Sequence, residues 1–184
     1  ETLSARVKSI SLLSSFLENL VQAVDVEGII AACEQAMSIL FNIEKAMFFL
    51  TDQNNVLLRG RPSLKNSLHQ TSQGLTLTLQ QSSSPIVKTY HNMSIAYLTE
   101  DKATDNLADK QILTALRCNT ILLVPLLGDK KPAGVILLGL PQELGSLAKS
   151  ESKLLQVVAQ QVGLCLQLES MKAQKTAELE KERM

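Results

Sequence analysis

The stretch Asn119–Leu140, NTILLVPLLGDKKPAGVILLGL, constrains the fold more than any other part of the chain. Ile121–Leu127 and Ala133–Leu140 are runs rich in Ile, Leu and Val, separated by the turn-forming Gly128-Asp129-Lys130-Lys131-Pro132. Neither run alternates with polar residues. A strand with one wet face would alternate, so unbroken runs of this length predict a central hairpin covered on both faces. Pro125 stands inside the first run and has no N–H to give to a ladder, which marks a bulge, an edge or an opening in the sheet.

Elements on either side supply the covers. Leu3, Val7, Ile10, Leu13, Leu17, Leu20 and Val24 recur at spacings of three and four, an amphipathic helix over 3–24. Its stripe can pack on the domain's own sheet or on a second subunit. Asp25 is placed to cap a second helix, Val26–Phe41, with Ile29, Cys33, Met37 and Leu40 on one face. Glu44–Thr51 and Val56–Gly60 flank a polar turn and predict a first hairpin. Arg61–Gln73 reads as loop, and Leu75–Gln80 as a strand or a short helix. Ile86–Tyr97 has no clear period. Glu100–Asn106 reads as loop and Leu107–Leu116 as a short helix. From Ser150 to the end a single helix is expected, with Leu154, Val158, Gln161, Cys165 and Leu168 as a heptad-like seam that gives way to the charged KAQKTAELEKERM. Such a helix outruns a domain of this size, so its end projects or frays.

Composition narrows the class. With 184 residues, 45% hydrophobic and 20% charged, the chain can bury one sizeable core, and 3% aromatics make that core aliphatic. Lys+Arg and Asp+Glu are 18 each, which argues against nucleic acid or an anionic membrane as partner. The apolar runs stop short of the roughly 20 residues of a membrane span. Cys33, Cys118 and Cys165 are odd in number, far apart and in apolar surroundings, as reduced thiols of a cytoplasmic protein would be. The start at Glu1 and the end within a charged helical pattern read as a piece of a longer protein.

Nothing in the sequence points to catalysis. The eight glycines are scattered and form no phosphate loop, and H-E-x-x-H, C-x-x-C and G-x-S-x-G are absent. His69 and His91 fall in expected loops, where a solvated histidine is the ordinary reading. Asp101, Asp105 and Asp109 fit a solvated approach to a helix better than a metal site. No catalytic residue and no metal ligand is assigned, and the chain is read as a non-enzyme.

The order of these pieces resembles a GAF domain. The likeness is carried by LVQAVDVEGIIAACEQAMSIL leading into IEKAMFFLTDQNNVLLRG, by the "VPL" of Leu123–Leu126 with its charged turn and AGVILLGL, and by the closing LLQVVAQQVGLCLQLE. It spans roughly Val26–Leu168. The resemblance implies an α+β fold, a central antiparallel sheet of about six strands. Long terminal helices lie on one face, and a variable roof of loops and helices, residues 61–118, on the other. It implies residues 1–25 as a linker or dimerisation helix, 26–168 as the domain, and 169–184 as a signalling-helix extension towards an output domain. It also implies a homodimer through the terminal helices of a cytoplasmic, bacterial signalling protein, and a small-molecule pocket under the roof.

Ligand candidates follow from that pocket. Phe48 is one of the apolar β-strand residues of which one face must line it. Leu123 and Pro125 sit at the "VPL" position, and Arg59, Tyr90, His91, Tyr97 and Arg117 can anchor polar groups. Each of the five polar residues also reads as an ordinary surface residue. Arg117, just before the hairpin, suits an anionic group or an ion pair with Asp109 or Glu100. Haem would need a roof histidine, for which His91 is the candidate. Cys118 lacks the following histidine usual for a bilin, and the cyclic-nucleotide signature of the family is missing, so the cofactor is unknown. Ile10, Leu13, Leu17, Val158, Cys165 and Leu168 are the dimer-helix candidates. The alternative is a ligand-free GAF domain that only dimerises and spaces its neighbours.

Overall fold

The computed structural model describes residues 3–52, 56–61, 76–80, 84–99, 114, 118, 120–140 and 149–182. Two helices come first, α1 (Leu3–Gln22) and α2 (Val26–Phe41). The strands are β1 (Lys45–Thr51), β2 (Leu57–Arg61), β3 (Thr76–Thr78), β4 (Ala96–Thr99), β5 (Thr120–Pro125) and β6 (Gly134–Gly139). Helix α3 (Pro85–Asn92) lies between β3 and β4, and α4 (Lys149–Glu182) closes the chain.

The six strands form one antiparallel sheet in the order β3-β2-β1-β6-β5-β4. The hairpin β5–β6 lies inside the sheet as its unbroken apolar runs predict, and β6 shares the centre with β1. Strand parity divides the core in two. Ala46, Phe48 and Leu50 of β1, Leu122 and Val124 of β5, and Ile136 and Leu138 of β6 pack with α1, α2 and α4. Met47, Phe49, Ile121, Leu123, Val135 and Leu137 pack on the opposite face, under α3. Two packed faces explain why these strands carry no polar alternation.

Pro125 sits at the end of β5, opposite Val135. Its neighbour Leu126 donates its N–H to Gly134 O at 2.9 Å, so the backbone of Pro125 faces the β4 side. The β4–β5 register ends at Ala96↔Leu123, before Pro125 is reached. The missing N–H therefore costs the sheet no ladder bond, and an interior strand can end in proline.

Helix α2 starts where its cap predicts: Asp25 accepts from Gly28 N at 2.8 Å. It ends at Asn42, whose φ of 57° stops the helix in the left-handed region. In α1, Phe16 and Leu20 are buried and Leu13 and Leu17 pack beside them, while Ile10 and Val21 face solvent. In α4 the core stripe is Leu155, Val158, Ala159, Val162 and Leu166, and every side chain from Ser170 to Glu182 is exposed. This 34-residue helix is about 51 Å long at ~1.5 Å per residue.

Ile86–Tyr97, without a clear period in the sequence, folds as all of α3 after Pro85 and the start of β4, with Met93 at φ 55° ending the helix. Within the segment expected as strand or short helix over 75–80, Thr76–Thr78 form strand β3. The loop expected over 61–73 lies outside the described residues beyond Arg61, which ends β2, and the loop expected over 100–106 lies outside them too. The helix expected over 107–116 also lies outside them apart from Thr114, which is helical.

Candidate functional site

Two regions are the candidates: the sheet face under α3, and the groove beside the second half of α4. On the first, Pro85 starts α3 and Ile86, Val87 and Tyr90 point into the sheet. They fill the space above β5 and β6, and all three are at most 4% exposed. Burial pushes the Tyr90 hydroxyl pKa up. His91 meets Tyr90 edge-on with ring centroids 5.3 Å apart. Its Nε2 is 2.7 Å from Leu79 O. A carbonyl only accepts, so Nε2 carries the proton and donates, which ties α3 to the end of β3 and commits that nitrogen.

The ligand candidates do not converge. Tyr90, His91 and Leu123 lie on the α3 side. Phe48 does not: it is fully buried in the helix-side cluster, because its register opposite Ile136 turns it to that face, and Met47 and Phe49 take the α3 side instead. Tyr97 is half-buried and packs on the helix-side cluster too, and Pro125 ends its strand as described. Arg59 is exposed on β2, and Arg117 lies outside the described residues.

The second region is an open groove of about 1070 Å³ between the N-terminus of α2, the ends of β1 and β2, the β5–β6 turn and the second half of α4. Arg59, Lys130 and Lys131 border it. Asp25, Asp52 and Glu169 border it as well, and each is engaged within the chain. Asp25 caps α2, and Asp52 accepts from Val56 N at 2.9 Å and Leu57 N at 3.2 Å. Glu169 pairs with Lys172 at 3.5 Å. The two backbone donors hold the Asp52 carboxyl below its ordinary pKa, with a smaller contribution from Arg59. Residues from five separated segments meet here, and Arg59 is the one ligand candidate of the sequence among them.

At the rim of the groove α4 is bolted to the β5–β6 turn. Gln167 Oε1 accepts from Asp129 N at 2.8 Å, and its Nε2 donates to Lys131 O at 2.6 Å. The amide lies so near Gly128 that a Cβ there would stand 2.1 Å from it. One helical turn earlier, Gly163 brings the α4 backbone against the carbonyls of Leu126 and Leu127. The sequence marks Gly128 only as a turn former, and it marks neither Gln167 nor Gly163.

The dimer-helix candidates separate by burial. Ile10 and Leu168 are 65% and 56% exposed. Leu13, Leu17 and Cys165 are half-buried against the chain's own core, and burial, with Glu169 second, pushes the Cys165 thiol pKa up. Val158 is a correction to the sequence reading: it is fully buried within its own chain, because the core stripe of α4 runs through Leu155, Val158 and Val162. The outward face instead carries Val157, Leu168 and Met171. Among the described residues, no group of three His, Cys, Asp or Glu is placed to hold a metal, and no helix is long and apolar enough to cross a membrane.

The family model for the GAF domain matches residues 25–166. The chain belongs to the GAF domain family. No curated protein matches it in sequence. Among solved structures it is similar to the GAF domain of a phosphoenolpyruvate-protein phosphotransferase from Coxiella burnetii, with TM-score 0.72 and 11% identity over 90% of this chain and 96% of that one. The GAF domain of the Acinetobacter phosphoenolpyruvate-protein phosphotransferase gives TM-score 0.70 and 12% identity over 91% and 98%. The GAF domain of a two-component sensor histidine kinase from Bacillus halodurans gives 0.66 and 17% over 79% and 95%. At these identities the likeness is one of fold.

Proposed function

We propose that this chain is the regulatory and dimerisation module of a cytoplasmic signal-transduction protein, and that it relays its state through its terminal helices. The observation that carries this reading is the division of α4. Its first half belongs to the same core as the sheet, through Leu155, Val158, Val162 and Leu166, whereas Ser170–Glu182 is exposed on all sides. A helix held at one end and bare at the other transmits any tilt of its seat over its whole length. Exposed Ile10 on α1 and Val157, Leu168 and Met171 on α4 supply apolar positions at which two copies can associate. The solved relatives named above, parts of a sensor kinase and of phosphotransferases, are in keeping with a signalling setting.

The input in this reading is a small molecule held on the α3 side of the sheet, favouring one packing of the helices by its differential affinity. A second reading is favoured by the packing there: Ile86, Val87 and Tyr90 already occupy the sheet above β5 and β6. On that reading the module binds nothing and serves dimerisation and spacing. Native mass spectrometry of the purified chain separates the two. A dimer carrying an adduct of constant mass supports sensing, and a bare dimer supports the structural reading. A bare monomer at micromolar concentration would sink the helix-relay proposal.

A further inference from the structure

We infer that Gln167 is the positioning residue that couples the β5–β6 hairpin to the direction of α4, and that opening of its clasp on the turn releases the helix from that residue onward. This rests on the relay reading and locates where the relay happens.

The hairpin is touched from both sides. Its α3-facing residues Leu123, Val135 and Leu137 lie under Ile86 and Val87. Its tip, Leu126–Lys131, lies against α4. Gly163 and Gln167 are one helical turn apart and so share a face of α4. Gly163 sets how near the helix can come, and Gln167 grips the turn with both ends of its amide. The amide fits because Asp129 N–H needs an acceptor and Lys131 O a donor, and one primary amide supplies both. A glutamate at this position would keep the first bond, lose the second, and set a carboxylate against a carbonyl.

The location also matters. Leu166 is the last buried residue of α4, and from Ser170 no side chain is covered. The clasp is thus the last attachment before the projecting segment among the described residues. Its two hydrogen bonds are open to water, and such bonds contribute little net free energy, so they can open and close in the folded state.

Hydrogen exchange by mass spectrometry on the full chain tests this at the amides of Leu166–Gln174. Gln167→Ala should speed their exchange about tenfold, the size of effect that goes with losing hydrogen bonds of ordinary strength. Gly128→Ala should do the same, because the three atoms its methyl group would meet first all belong to the flexible Gln167 amide. The double variant should exchange no faster than either single one, since both remove the same clasp. Transmission is read separately. Ile86→Val, one methylene removed on the α3 side, should alter exchange of Leu166–Gln174 in the parent chain and leave it unaltered in Gln167→Ala. Gln167→Glu, which keeps the bond from Asp129 N and loses the one to Lys131 O, should fall between the parent chain and Gln167→Ala.

The inference is overturned if the single variants leave exchange unchanged, if their effects add, or if Ile86→Val reaches α4 equally in both backgrounds or in neither. Failure of the relay reading itself would appear as a bare monomer by native mass spectrometry, a result on which these intrachain protections do not depend.

Discussion

Gly163 on α4 faces the carbonyl oxygen of Leu127 so closely that a Cβ at position 163 would stand 2.3 Å from it, and 2.6 Å from Leu126 O. Both obstacles are backbone, and the turn that carries them is fixed at both ends by strands. In an ordinary helix interior, alanine in place of glycine stabilises by about 1 kcal/mol. Here the sign reverses. Gly163→Ala should lower the free energy of unfolding by about 2 kcal/mol, because the helix or the turn must shift to admit the methyl group. Urea denaturation followed by circular dichroism measures it, and a more stable variant would mean that α4 does not lie on the turn.

Asp25 holds the first turn of α2 through its bond to Gly28 N. Asp25→Ala should cost about 1 kcal/mol in the same experiment, and Asp25→Ser should recover most of it, since a hydroxyl also accepts from the N-terminal N–H groups. Equal losses for the two variants would show that the cap bond is not what matters at this position.

Asp52 gives a pH dependence of defined sign. Val56 N and Leu57 N donate to its carboxylate and lower its pKa in the folded chain. A group whose folded pKa is depressed stabilises above its unfolded pKa of about 3.9 and loses that contribution as pH falls through the folded value. The difference in Tm between the parent chain and Asp52→Ala should therefore be full at pH 7 and 5.5 and shrink below about pH 4. A difference that grows on acidification would reverse the assigned direction.

Much of the fold could be read from the chain because two-sided burial leaves a simple trace: the strand interiors Ala46–Leu50, Ile121–Pro125 and Val135–Leu138 are apolar without a break, and Asp25 announces α2. The same trace hides the site. Where both faces are apolar, nothing local says whether Phe48 or Phe49 faces α3; the register Phe48↔Ile136 decides it, and that pairing joins segments far apart in sequence. The α3–β4 connection was hidden for a different reason. Met93 occupies the left-handed position where glycine or asparagine would have signalled the end of the helix. Phe16, absent from the heptad stripe read from the sequence, is buried because the inward face of α1 runs through Leu13, Phe16 and Leu20. Gln167 is a polar residue on an amphipathic helix, and its partner turn lies well upstream, so no periodicity could mark it.

The self-association proposal can now be tested with residues chosen by burial. Leu168 is 56% exposed and Ile10 65%, so an aspartate at either is solvated in the monomer and should leave its Tm nearly unchanged. Leu13 is a poorer probe, because it packs on the core and Leu13→Asp confounds folding with assembly. Val158 is the opposite control: fully buried, Val158→Asp places an unpaired charge in the core and should abolish folding. If two copies meet along the outward faces of α1 and α4, Ile10→Asp and Leu168→Asp should each convert a dimer to a folded monomer at micromolar concentration, as light scattering coupled to size exclusion would report. Each removes an apolar contact of about 1.5–3 kcal/mol per subunit and adds like-charge repulsion across a twofold interface. A dimer of unchanged mass in both variants would place the contact elsewhere on the molecule and leave the α4 extension as a lone helix rather than half of a pair.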